Sequence, residues 1–388
     1  MADRIGWLDK GSCYRMNIAE KFAELSIASS KLTKKKQQTK KKIEYVSEYV
    51  RLWALVMLER ADIDTLNFID CMCNAGVYQD GDCCTSIEVL QIFYDLSKKY
   101  TNKKFCIWFN DNDPEKIETL KRVLDFFPEN PQILVSIKQV DVNEYLDMLH
   151  RDSDLAKRIF KYGAATILYV DPYDFGTVEI PKVSAVLQNR YCELLFNFFI
   201  SDYVRNIHQD AGRIARCLGG QKIETKDDLI AYMRKQLRVG YVKYLFAYQF
   251  RTEKNVELYQ IVFATPNPKG LEKLKEVLWN VFNGAEFHRN RIDSGQTCFF
   301  TPKDEETFSL RLYATEAQHM LCEKYAGQTI SWSNLKLFLI EHTMLKESQI
   351  IQHILRPLIA SGQVKKCNLC GKRNYKADSY TFLPEEIL

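Results

Sequence analysis

The chain has 388 residues, of which 46% are hydrophobic and 27% charged, a composition that excludes a largely disordered protein and allows two or three domains. A formal net charge of +4 is too small to require a polyanionic partner, so any nucleic-acid surface must come from local basic patches. No apolar run is long enough to cross a bilayer, and no apolar stretch of the secretory type follows Met1. The 12 cysteines are scattered, which is typical of reduced thiols, and we expect a cytoplasmic protein without a membrane partner.

The first predicted segment, residues 1–60, combines a basic stretch with a helix. A lysine-rich block covers 31–42, and it allows two interpretations. One is a solvated linker, and the other is an arm that contacts phosphates, because clustered lysines release counterions from a polyanion. Apolar residues then recur at helical spacing over 43–59, which predicts a helix packed on the next domain.

Strand and helix patterns alternate over the second predicted domain, 61–290. Alternation of this kind predicts a parallel, doubly wound sheet with both faces covered. A helical insertion is expected near 203–240, and two later β-rich runs resemble the antiparallel hairpin that closes class I methyltransferase sheets. The predicted fold class is therefore α/β, with a Rossmann-like, mostly parallel sheet of the class I methyltransferase type. The predicted strands cover 66–70, 105–109, 133–141, 164–170 and 193–199, and the β-rich runs cover 242–250 and 256–264.

The loop after the first strand has the features of a ligand-binding turn. Rossmann folds bind their ligands at the carboxyl edge of this strand, where the order of strands reverses. Asp70 ends the strand, Gly76 allows close approach of a ligand, and Asn74 tolerates a positive φ. Taken alone, the motif is weak, and an ordinary strand-to-helix turn is the better interpretation.

Acidic residues also follow the next three strands. Asp111 and Asp113 follow the second strand, where an acid typically accepts hydrogen bonds from the ribose hydroxyls of a nucleoside cofactor. Asp141 follows the third strand, within reach of an adenine amine, and Asp171 ends the fourth. The ordered set predicts a cofactor site for S-adenosylmethionine (SAM).

The tripeptide Asp171-Pro172-Tyr173 has a catalytic interpretation. Methyltransferases that act on exocyclic base amines use a related D-P-P-Y type of element. Its acid or amide and a carbonyl accept the amine hydrogens, and its aromatic ring stacks on a flipped base. The alternative is a tight turn with a half-buried tyrosine.

At these residues the sequence resembles the three-Cys-motif partner proteins. The ordered correspondence includes Asp70 and Gly76 after the first strand, then Asp111, Asp113 and Pro114, then Asp141 and Asn143, then Asp171 and Pro172, and finally Phe196-Asn197-Phe198 and Arg205. Members of this family read Ala-Gly where this chain has Cys73-Asn74, and proline where it has Ala75. The resemblance implies a methyltransferase-like fold and a radical-SAM-like three-Cys-motif partner protein from mobile or phage-related DNA.

Cysteine pairs raise the question of a metal site. Cys71, Cys73, Cys83 and Cys84 are interpreted as ordinary thiols near the cofactor turn. Cys367-x-x-Cys370 is half of a zinc motif, but a structural zinc site needs four ligands and the sequence supplies no second pair. A zinc site here would require the fold to bring His353 or Cys322 to this pair. We predict no metal and interpret this element as a tight turn between two strands.

The C-terminal region, 313–388, follows a predicted linker at 291–312. Helices predicted at 314–325, 332–341 and 346–360, the last kinked at Pro357, precede two strands, which is the order of a winged helix. Exposed cations on the wing suit phosphate contacts, although winged helices also bind proteins. The predicted nucleic-acid residues are Lys365, Lys366, Lys372, Arg373 and Lys376.

Two functions remain open from the sequence. The first is a SAM-dependent methyltransferase-like protein that acts on or with nucleic acid and works with the three-Cys-motif partner. The second is a non-catalytic nucleotide-binding scaffold or sensor whose winged helix recruits a protein. The two hypotheses differ in one fact, which is whether the purified chain binds SAM.

Overall fold

A computed structural model of the chain describes residues 32–150, 153–206, 209–251, 257–284, 287–288, 302–367 and 379–384. The described residues form two compact units. The first contains residues up to 243 together with 257–266, and the second contains 244–251 and the described residues from 267 onward.

The first unit alternates strands and helices, as the sequence predicts. Its helices are α1 (Gln37–Leu58), α2 (Thr85–Lys99), α3 (Pro114–Leu124), α4 (Val142–Met148), α5 (Asp154–Ile159), α6 (Ile180–Val186), α7 (Ile200–Asn206), α8 (Ala211–Cys217) and α9 (Lys226–Leu237). Its strands are β1 (Thr65–Asp70), β2 (Lys104–Asn110), β3 (Ile133–Lys138), β4 (Ala164–Val170), β5 (Cys192–Phe198) and β7 (Glu257–Thr265).

The strands of this unit form one sheet in the order β3-β2-β1-β4-β5-β7. The first five run parallel, and β7 runs antiparallel to β5. Every residue of β1, β4 and β5 is buried, so helices cover both faces of the central strands. Asp70 is opposite Phe109 and Tyr169, so the carboxyl ends of β1, β2 and β4 meet at one edge. The predicted α/β fold with a mostly parallel, Rossmann-like sheet is confirmed.

Helix α1 packs on α2 and begins within the lysine-rich block. Its apolar face is fully buried, with Tyr45, Tyr49 and Trp53 each at most 2% exposed. The linker interpretation is therefore wrong for residues 37–42, which form the first turns of the helix. Burial of a wide apolar stripe explains why the helix forms despite its three consecutive lysines.

The second unit contains β6 (Tyr244–Arg251), α10 (Pro268–Phe282), β8 (Phe287–His288), α11 (Pro302–Tyr325), β9 (Thr329–Ser331), α12 (Trp332–His342), α13 (Glu347–Ile350), a π-helical turn (Ile351–Leu355), α14 (Arg356–Ala360), β10 (Val364–Cys367) and β11 (Ser379–Phe382). Strands β9, β10 and β11 form an antiparallel sheet in the order β10-β11-β9. The predicted order of three helices followed by two strands is present, together with the short β9, which the sequence did not indicate. Identification of the unit as a winged helix stays a prediction.

The boundaries of the second unit differ from the predicted ones. Helix α10 lies within the predicted domain 61–290, but it packs on α12 and belongs to the second unit. Its Trp279 Nε1 donates to the Met344 carbonyl at 2.7 Å, and this contact fixes α10 to the C-terminal helices. Helix α11 begins at Pro302, inside the predicted linker 291–312.

The third helix of this unit is interrupted, as Pro357 suggested. A π-helical turn over Ile351–Leu355 separates α13 from α14, and Pro357 lies in the first turn of α14. Proline lacks an N–H and its ring collides with the carbonyl four residues earlier, so a wider turn accommodates it. Among the described helices of the chain, none has the length and apolar character needed for a membrane crossing.

Candidate functional site

A cavity of about 330 Å³ lies at the carboxyl edge of the parallel sheet. Rossmann folds bind their ligands at this edge. The loops after β1 and β4, strand β5, strand β7 and the start of α1 all contribute to its walls. The lining residues are Thr33, Lys34, Lys36, Gln38, Thr39, Lys42, Asp70, Met72, Cys73, Asn74, Tyr78, Cys84, Thr85, Tyr169, Asp171, Pro172, Tyr173, Asn197, Phe199 and Tyr259.

Asp70 and Asn74 shape the cavity wall after β1. The Asp70 carboxylate accepts from the Met72 N–H at 3.0 Å and from the Ser86 hydroxyl. The side chain is 2% exposed, and burial raises the pKa of Asp70 to about 7. Asn74 has a φ of 59°, and its Oδ1 accepts from the Ala75 N–H at 2.9 Å. The sequence anticipated this left-handed position, because asparagine tolerates it better than most residues.

Gly76 serves the turn by its backbone conformation and its packing. Its φ is +82°, and a Cβ at this position would lie 2.9 Å from Leu120 Cδ1 of α3. Gly76 does not line the cavity. Glycine is thus required for close packing of the turn on α3, and a direct contact of Gly76 with a cofactor stays a prediction.

Replacing Gly76 with alanine should destabilise the first unit more than a glycine replacement elsewhere. Gly220 is a matched control, because its φ is +84° and a Cβ there would meet no described atom within 4 Å. We expect Gly220→Ala to cost about 1 kcal/mol for the left-handed backbone. Gly76→Ala should cost about 2–4 kcal/mol, since overpacking adds about 1–3 kcal/mol. Urea unfolding measures both, and equal losses would show that the Leu120 contact is unimportant.

Asp111, Asp113 and Asp141 hold the backbone at the ends of β2 and β3. Asp111 is 4% exposed, and its two oxygens accept from the N–H groups of Asn74 at 3.0 Å and Asp113 at 3.1 Å. Asp113 caps α3, and Asp141 caps α4. None of the three lines the cavity. Asp111 therefore joins the loop after β1 to the end of β2, and its proposed contact with a ribose stays a prediction.

Asp171 accepts four hydrogen bonds in the cavity. Lys42 Nζ donates to both of its oxygens, at 2.7 and 2.6 Å. Asn197 Nδ2 donates to Oδ1 at 2.8 Å, and the Tyr169 hydroxyl donates to Oδ2 at 3.0 Å. Neither Lys42 nor Asn197 is among the predicted site residues, although Asn197 belongs to the Phe196-Asn197-Phe198 element of the resemblance. A single amide in the apolar strand β5 was the signal for Asn197, whereas nothing distinguished Lys42 within a block of lysines.

Pro172 and Tyr173 follow Asp171 at the mouth of the cavity. Tyr173 is 57% exposed, and its hydroxyl accepts from Lys116 Nζ at 2.8 Å. The next residues are fixed by Arg213, whose guanidinium donates to Asp174 at 2.6 Å. The predicted tight turn is present in this loop, but Tyr173 is exposed and not half-buried as the alternative interpretation expected.

The cysteines beside the cavity are buried thiols. Cys71, Cys73, Cys83 and Cys84 are all buried and free. Burial raises the pKa of Cys84 to about 12, so this thiol is protonated at neutral pH. Within the described residues, no cluster of three or more side chains is suited to hold a metal ion. Cys370 lies outside those residues.

The predicted nucleic-acid surface is described only in part. Lys365 and Lys366 lie on β10, where Lys365 is exposed and Lys366 half-buried. Lys372, Arg373 and Lys376 lie outside the described residues. The proposed phosphate contacts stay a prediction.

The chain matches no family model and no curated protein. Among solved structures, it is similar to a SAM-dependent methyltransferase from Methanosarcina mazei, with 10% identity, 54% of this chain and 96% of that chain covered, and a TM-score of 0.29. It is also similar to human methyltransferase-like protein 13 in complex with SAH, with 12% identity, 63% and 91% covered, and a TM-score of 0.34. Since these TM-scores are below 0.5, the fold assignment rests on the strand order and register described above.

Proposed function

We propose that the chain is a SAM-dependent methyltransferase-like protein that acts on or with nucleic acid. The observation that carries this proposal is the cavity at the carboxyl edge of β1 and β4, with Asp70 and Asn74 on one wall and Asp171 to Tyr173 on another. SAM, when bound, supplies an activated methyl group. In this proposal Asp70, Asn74 and Asp111 shape the cofactor side, and Asp171 with Tyr173 orients the acceptor.

The acceptor and the partner belong to the same proposal. Tyr173 offers an exposed ring for stacking on a base, and Lys34 and Lys36 place cations on the cavity wall for phosphates. Lys365 and Lys366 supply further cations on the second unit. The resemblance to three-Cys-motif partner proteins supports a complex with a radical-SAM-like protein.

One observation favours the second candidate, a non-catalytic nucleotide-binding scaffold. Asp171 makes four hydrogen bonds with three neighbours, so its carboxylate already has a full set of donors. An acceptor amine would have to displace Lys42 or share these oxygens. In a scaffold, the ion pair between Lys42 and Asp171 would stay intact and would serve only to hold the structure.

Calorimetric titration with SAM and S-adenosylhomocysteine (SAH) tests the proposal. We expect micromolar binding of both ligands to the full chain. Asp111→Ala should weaken binding by about 10-fold or more, because it releases the Asn74 backbone and removes a predicted ribose acceptor. Asp95→Ala is the matched control, since Asp95 pairs with Lys98 on the surface of α2, away from the cavity.

A second measurement distinguishes the methyltransferase from the non-catalytic scaffold. A methyltransferase transfers a labelled methyl group from SAM to DNA or RNA, and Asp171→Ala abolishes that transfer even at saturating SAM. If SAH binds and no acceptor is methylated, the scaffold is the better description. Absence of binding by either compound contradicts the proposal.

A further inference from the structure

One buried oxygen in the cavity has no hydrogen-bond partner among the described residues. Asn197 lies on β5, lines the cavity and is 1% exposed. Its Nδ2 donates to Asp171, and a carboxylate accepts only, so the orientation of the amide is fixed. Its Oδ1 is buried and, within the described part of the chain, unpaired. Because burying an acceptor without a donor costs free energy, this oxygen indicates a ligand that carries an N–H group.

A spare donor lies on the other side of the same carboxylate. The ammonium group of Lys42 has three hydrogens, and two of its hydrogen bonds go to Asp171. Its side chain is 12% exposed and also lines the cavity. As far as the described residues go, one N–H of Lys42 is thus available to an anionic group. The Asp171 Oδ1 atom is bonded to both Lys42 and Asn197, which holds the spare donor and the spare acceptor close together.

We propose that Lys42 and Asn197 bind the α-amino acid end of the cofactor. This inference rests on the proposed function and deepens it by assigning a subsite. Lys42 donates to the carboxylate of the ligand, and Asn197 Oδ1 accepts from its ammonium group. The pair of Lys42 and Asp171 is neutral overall, and a zwitterion adds no net charge to this half-buried site. A ligand group with a single charge would leave one uncompensated charge in the half-buried site, which costs free energy.

Two ligands that differ only at this end test the assignment. SAH carries the amino acid group, whereas 5′-methylthioadenosine keeps the adenosine and the thioether and lacks it. We expect the wild-type chain to bind SAH more tightly. Asn197→Leu and Lys42→Met should each weaken SAH binding by about 10- to 100-fold and leave 5′-methylthioadenosine binding unchanged.

The ratio of the two affinities distinguishes the loss of one contact from misfolding of the variant. A variant that distorts the cavity weakens both ligands together, and thermal unfolding reports loss of the fold directly. Lys41→Met is the matched control for Lys42→Met, because Lys41 lies on the same helix and pairs with Glu44 at the surface.

Each outcome is decisive. A selective loss of SAH affinity in both variants supports the subsite. If the wild-type chain binds both compounds and the variants change them equally or leave both unchanged, the subsite is wrong and the proposed function stands. If the wild-type chain binds neither compound, the proposed function fails and the subsite fails with it.

Discussion

Replacing Glu193 with glutamine should make the first unit less sensitive to pH between about 4.5 and 7. Glu193 is the second residue of β5, is 1% exposed, and accepts from the hydroxyls of Tyr49 and Thr265. Both neighbours are neutral, so burial dominates and raises the pKa of Glu193 from 4.5 to about 7.

The sign of the effect follows from proton binding. Between pH 4.5 and 7 the folded chain keeps the Glu193 proton while the unfolded chain loses it, so stability falls as the pH rises. The pKa difference corresponds to about 3 kcal/mol. Glutamine does not titrate. Between pH 4.5 and 7, the free energy of unfolding should therefore fall by about 3 kcal/mol less in Glu193→Gln than in the wild type. Asp70 titrates in the same direction in both proteins and cancels in the difference.

Hydrogen exchange of the β5 amides measures this effect in the first unit alone. Glu48→Gln is a matched control on α1, where the side chain pairs with Arg51 near the surface. A pH dependence that is the same in the wild type and in Glu193→Gln would contradict the burial argument. The experiment also tests how α1 is held on the sheet, because Tyr49 joins that helix to β5.

Much of the first unit was predictable because its patterns are local. Strands with continuous apolar runs and helices with one apolar face determine the alternation, and strand ends determine where the acids lie. The same local signal is ambiguous for individual acids. Asp113 and Asp141 cap helices, and an aspartate before a helix is as typical of a cap as of a ligand contact.

The site residues that the sequence did not predict are brought together by contacts between distant parts of the chain. Lys42 and Asp171 are 129 positions apart, and only the packing of α1 brings them together. The start of α11 was not predicted for a different reason, because residues 302–312 show no one-sided apolar stripe. Strand β9 has three residues, which is too short for an alternating pattern to be recognised.

Replacing Lys275 with methionine should remove a rise of stability with pH from the second unit. This pH dependence has the opposite sign to the one that Glu193 causes in the first unit. Lys275 lies on α10, is fully buried, and donates to the Thr343 carbonyl at 2.7 Å. Its ammonium nitrogen lies 3.1 Å from the centroid of the Phe246 ring. Glu272 on the same helix is already paired with Lys269 and Lys336. Burial without a carboxylate partner among the described residues lowers the pKa of Lys275 well below 10.5.

For a lysine with a lowered pKa, the unfolded chain binds the extra proton, so stability rises with pH up to about 10.5. Between pH 8 and 10, the wild type should gain up to about 1.4 kcal/mol per pH unit relative to Lys275→Met. Hydrogen exchange of the α10 amides reports this difference, and Lys273→Met, which removes a lysine paired with Glu276, is the control. Parallel pH profiles for the wild type and Lys275→Met would show that the amine keeps its proton in the folded chain. The Phe246 ring and the Thr343 carbonyl would then be sufficient to hold a buried cation.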